Sequence, residues 1–152
     1  MPIFQFIAER FTRRKFANIS QEQEEALIDV LAAAKAIDGL LLDVERQELM
    51  EGVQHFDWKG ALPLESYVEA SIEKGTKLEP TEEALGAFFE EVSGRLAEDW
   101  LKEEAYYLGS RVALADDEVA EEERLFLKAM VEAFDIDSDR QQLIVRRIRQ
   151  NP

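Results

Sequence analysis

Apolar residues recur at three- and four-residue intervals along most of the chain, and no stretch alternates in twos for long enough to read as a run of strands. Phe4, Ile7, Ala8 and Phe11 gather on one side of a short helix over 3–15, with Arg10, Arg13 and Arg14 largely elsewhere. Ser20 opens a second helix, with Gln23 placed as its capping-box partner. Leu27, Leu31 and Ala34 carry that helix to Asp38, and Gly39 suits the left-handed position just past a helix end. A third helix runs from about Asp43 to Asp57, and Trp58–Pro63 is a loop. A short helix follows to Lys74, and Gly75–Pro80 reads as a break. Glu79-Pro80-Thr81 restarts helix through Phe88, Phe89 and Val92, with a weak point at Ser93-Gly94. A long helix then reaches Ala115, another covers Glu121 to Phe134, and Asp137 or Ser138 caps the last. The arginines that end it suit the negative end of its dipole. The pattern predicts an all-α fold, a compact bundle of seven or eight helices in a single domain over 1–152, with no low-complexity linker.

Composition narrows the chemistry. At 46% hydrophobic residues, a chain of 152 can bury a substantial core. It has no cysteine, so disulfides, thiolate metal sites and cysteine nucleophiles are excluded. With a single histidine, His55, zinc sites of the nitrogen and sulfur type are disfavoured, and Gly52 three residues earlier breaks the Glu-x-x-His pattern of a di-iron or di-manganese bundle. No Ser–His–acid set and no phosphate-binding glycine loop is present.

The net charge of −15 is unevenly spread. Residues 1–15 set Arg10, Arg13, Arg14 and Lys15 against Glu9 alone, and residues 140–152 carry Arg140, Arg146, Arg147 and Arg149 with no acid. The intervening chain therefore holds the whole negative excess, which repels nucleic acid and anionic lipid and attracts cations and basic proteins. A solvated, solubilising face is the plainer use of the same charge. The run Ile3–Ala8 is too short for a secretory core and no stretch approaches the ~20 apolar residues of a membrane span, so a cytoplasmic location is expected. The basic amphipathic start is expected to pack on the acidic body, and membrane contact through it is disfavoured.

An offset of 78 residues lays one part of the chain over another. Asp38 falls on Asp116, Glu45 on Glu123, Arg46 on Arg124, Leu49 on Leu127, Val53 on Val131 and Phe56 on Phe134. Six identities on one helical register argue for two helix–turn–helix pseudo-repeats, about 20–57 and 98–135. Ala36-Ile37-Asp38-Gly39, Leu41 and Glu45, and again Ala115-Asp116, Val119 and Glu123, resemble the tellurite-resistance TerB-like family. The repeats cover about half of the chain. Asp117 stands where that pattern has glycine, and Leu42 and Ala120 stand where it often has a serine or threonine cap. The resemblance implies a non-enzymatic module of a tellurite-resistance or stress-response system.

The repeat also has a geometric consequence of its own. Glu45, Leu49, Val53 and Phe56 form one helical stripe, so Glu45 heads an inward face, and Leu27, Leu31, Ala34 and Asp38 form the matching stripe before the turn. Val112 and Asp116 meet Glu123, Leu127, Val131 and Phe134 in the second copy. Two carboxylates are thus expected at each helix junction, where their shared burial needs compensation. Backbone N–H groups of the turn could provide it, as could Arg46 and Arg124. A divalent cation could too, and with oxygen ligands alone that means calcium, magnesium or manganese. The candidate metal ligands are Asp38, Glu45, Asp116 and Glu123, with Asp43 and Glu121 as auxiliary donors. An EF-hand is disfavoured, since Ala34, Ala36, Val112 and Leu114 occupy its first and third ligand positions.

Three functions follow from this. The chain binds a divalent cation, a protein partner with a basic surface, or both, through the paired acids. Alternatively it is a structural acidic interaction protein without metal. Metal-assisted hydrolysis by the same carboxylates stands behind both, because no general base or nucleophile is distinguishable. Phe88, Phe89, Trp100, Tyr106 and Tyr107 are expected in the core, with Trp58 anchoring its loop.

Overall fold

A computed structural model of the chain describes residues 4, 6–37, 39, 41–115 and 118–150. Among these residues there is no strand. The helices are α1 (Phe6–Phe11), α2 (Gln21–Ala36), α3 (Asp43–Val53), α4 (Leu64–Lys77), α5 (Glu82–Leu96), α6 (Asp99–Ala113), α7 (Glu121–Phe134) and α8 (Ser138–Gln150), with a 3-10 turn at Arg14–Phe16. The all-α bundle read from the sequence is the architecture observed. Among the described residues no helix is long and apolar enough to cross a membrane.

The axis of the bundle is α2, opened by the predicted capping box between Ser20 and Gln23. Every residue from Ala26 to Ala34 is buried, Asp29 included, which is what a helix apolar on all sides requires. It packs against α4, α5 and α6. The alanines on it permit a close approach by α4, where a Cβ added to Gly75 would lie 3.1 Å from the Ala33 Cα. Gly75 is therefore a contact glycine inside α4, and the break expected there lies beyond Lys77. Ser93-Gly94 likewise stays helical, and α5 stops only at Ala97, where φ turns positive at 66°.

Two other expectations are corrected by packing. The first helix is not continuous to residue 15. The Thr12 hydroxyl donates to the Glu9 carbonyl, and the chain turns so that the Phe11 and Phe16 rings pack 5.2 Å apart. The two repeats also present different faces. In α3 the buried positions are Glu45, Leu49, Gly52 and Val53, set chiefly against α1. In α7 they are Glu123, Phe126, Ala129, Met130 and Phe134, because that helix is wedged between α5 and α6. Leu127 and Val131, equivalent to Leu49 and Val53, are consequently only partly buried.

Candidate functional site

Both turns deliver a glutamate to the same place. Glu45 and Glu123 are the third residues of α3 and α7, and they are 6% and 5% exposed. In each case Oε1 accepts the N–H of the residue preceding the helix, Leu42 or Ala120, at 2.9 Å. This is the acidic half of a capping box. The reciprocal half is missing because Leu42 and Ala120 carry no side-chain acceptor. One orphan backbone donor is satisfied at each helix start, and the carboxylate sits at the positive end of the helix dipole.

Asp38 and Asp116, the expected partners of these glutamates, lie outside the described residues, as does Asp117. Gly39 adopts a φ of 151°, a conformation open to glycine. The countercharge for Glu45 comes from Lys35 in the last turn of α2, whose Nζ lies 3.7 Å from Oε2. It does not come from Arg46, which reaches across to Glu69 at 2.7 Å. The lysine has no equivalent in the second copy, where Ala113 holds that position. Arg124 pairs with the exposed Glu121, whose carboxyl the arginine's hydrogen bonds hold below the usual range. Asp43 is exposed. Burial and the adjacent Glu45 charge push the Glu48 carboxyl above its ordinary value. Among the described residues no three carboxylates or imidazoles converge as a metal site would need.

Charged groups away from the two turns are more deeply engaged, and sequence reading missed them. Asp29 on α2, 3% exposed, accepts from Ser71 at 2.5 Å, from Tyr67 at 3.2 Å and from Arg95 at 2.7 Å. The network ties α2 to α4 and α5. Burial, reinforced by the Asp29 charge, pushes the Tyr67 hydroxyl up to about 12. Burial alone would lower Arg95, but its bonds to Asp29 and Glu91 outweigh this and raise it. With each of its groups partnered, the network fixes helix registry and offers no free nucleophile. One signal was available: an acid in the unbroken apolar run Leu27–Leu31 must find partners if that run is buried. Two of the four N-terminal bases pack on the body as expected, Arg10 holding the buried Glu104 at 3.0 and 2.9 Å and Lys15 joining the same carboxylate, while Arg13 and Arg14 are exposed.

The aromatic residues behave as core. Phe88, Phe89, Tyr106 and Tyr107 are buried, and Trp100 is half-buried. The Trp58 indole donates to the Leu62 carbonyl at 2.8 Å and so closes its loop, while His55 is exposed. Comparison of the chain with protein-family models, with curated proteins and with solved structures finds no match.

Proposed function

We propose that the chain is a non-enzymatic, TerB-like binding module of the tellurite-resistance and stress-response type, and that its acidic turns engage a protein partner with a basic surface. One observation carries this reading. The inward glutamates cap helices, so what the turns present outward is acid interleaved with bare apolar surface. Asp43 lies between Leu42 and Val44, which are 63% and 60% exposed. In the second copy Glu118 and Glu121 flank Val119, 45% exposed. Exposed apolar groups rimmed by charge of one sign are what a charge-steered protein contact uses.

Calorimetric titration of the whole chain with a lysine- and leucine-rich peptide tests it. Binding is expected to weaken with added salt and to be lost when Asp43→Lys and Glu121→Lys are combined, both positions being exposed. A divalent cation at the same turns gives a different result. Calcium or manganese would then raise the melting temperature, and Glu45→Gln with Glu123→Gln would abolish the rise. If neither response is seen, the turns are rejected as a binding site.

A further inference from the structure

The two basic ends of this acidic chain converge. A cleft of about 430 Å³ is lined by Arg10 of α1, Lys15 of the 3-10 turn, Arg140 and Arg147 of α8, and by Trp100, Glu103, Glu104 and Tyr107 of α6. Its volume lies in the range of small-molecule sites. Four cations face two carboxylates, in a chain with 33 acidic and 18 basic residues. A local excess of two positive charges is the opposite of what that composition would place at random.

Three of the cations are held in position by carboxylates of α6. Glu104, buried on α6, takes two hydrogen bonds from Arg10 and binds Lys15, and the Arg10 guanidinium lies 4.1 Å from the centre of the Tyr107 ring. Glu103 binds Arg140 on the opposite wall. A guanidinium has five donors, so Arg10 and Arg140 each keep donors beyond those these bonds use. Arg147 is exposed and has no carboxylate within ion-pair distance among the described residues. The half-buried Trp100 and the buried Ile144 add apolar wall.

We infer that this cleft, between the N-terminal segment, α6 and α8, binds a small organic phosphate monoester: the dianion meets the arginines and an apolar or planar body lies against Trp100. The charge decides between anions. A phosphate monoester carries about −1.5 to −2 at neutral pH and so matches the excess, whereas a monocarboxylate leaves half of it uncompensated. Arginine forks suit phosphate oxygens in particular. The site shares no lining residue with the acidic turns and does not depend on their having a partner.

Isothermal titration of the unmodified chain with phenyl phosphate, benzoate and phenol, at matched ionic strength, tests the assignment. Phenyl phosphate is expected to saturate one site, with benzoate weaker and phenol silent. Arg147→Ala is expected to weaken phenyl phosphate by about tenfold, the loss of one charge-assisted contact. Arg149→Ala, exposed and outside the cleft, is expected to leave the affinity unchanged, which separates the site from general attraction to α8. The inference is overturned by any of three results: no saturable heat with phenyl phosphate, equal binding of benzoate, or an affinity indifferent to Arg147→Ala. A poly-glutamate peptide that binds more tightly than phenyl phosphate would also overturn it, and would assign the cleft to an acidic protein segment.

Discussion

Replacing Glu24 by glutamine removes a charge that the fold holds at a cost. Glu24 lies in the first turns of α2, 3% exposed, and its Oε1 has no hydrogen-bond partner. Burial pushes its carboxyl from 4.5 to about 7, with the Asp57 charge adding to the rise while the Asp57 N–H and Lys59 partly oppose it. One pKa unit corresponds to about 1.4 kcal/mol, so a rise of this size amounts to about 3 kcal/mol. The sign follows from proton linkage. The folded chain holds this proton more tightly than the unfolded chain, so the group's contribution is fully present below the unfolded value of 4.5. It is lost as pH rises through about 7.

Glutamine reproduces the protonated acid in shape, with its carbonyl available to the Asp57 N–H and its amide where Oε1 now lies unpartnered. At pH 4, below the unfolded value, the variant and the parent are therefore expected to melt together. At pH 8.5 the variant is expected to be more stable by up to about 3 kcal/mol, or roughly 6–12 °C for a domain of this size. Thermal scans by circular dichroism of both proteins, pH by pH, measure the difference directly. The rest of the chain's titration is common to the two and cancels. A difference that stays flat between pH 4 and 8.5 would refute the claim that burial lifts this carboxyl.

Two further substitutions, with a third at an exposed position as control, test the packing that positions both surfaces. Asp29→Asn leaves Arg95 facing a neutral group in the α2–α4–α5 network and is expected to cost about 3–5 kcal/mol in urea unfolding, whereas Asp43→Asn, at an exposed position, changes stability by less than about 0.5 kcal/mol. Gly52→Ala places a Cβ 2.7 Å from Ile7 Cγ2 and 2.8 Å from Ile7 Cβ, so α1 must move off α3. It is expected to cost about 1–3 kcal/mol and to speed proteolysis within residues 6–16; unchanged cleavage there would show that the contact does not hold α1 in place.

The helices were legible because their signals are local. Ser20 with Gln23, and Thr81 with the Ala84 N–H, cap α2 and α5 through bonds spanning three residues. The glutamates of the repeat were legible for the same reason, since the bond from Leu42 to Glu45 is also a three-residue span. Gly75 and Gly94 misled because a glycine is read as a helix breaker when only its neighbours in sequence are known. Whether it breaks or permits a contact depends on what lies opposite, and for Gly75 that is Ala33, far back in the chain. The roll of α7 relative to α3 has the same origin: identical residues on one register are turned differently by different neighbours.

Long-range pairing is where sequence patterns carry least. Arg95 meets Asp29 across 66 positions and Arg10 meets Glu104 across 94, and no periodicity encodes either. Composition showed that both ends of the chain are basic, but only the fold could show that they share one cleft. That convergence bears on how a strongly acidic chain keeps its bases. Arg10, Lys15 and Arg140 are each tied to a carboxylate of α6. A simple neutral pair would end the matter there, yet Glu104 serves two cations at once and Arg147 stands beside them without a described partner. Added acid at the cleft would neutralise it easily in a chain so rich in glutamate. The described surface thus carries two kinds of region, a basic cleft and two turns where acids lie beside bare aliphatic groups, and the titrations above test whether they take ligands of opposite sign.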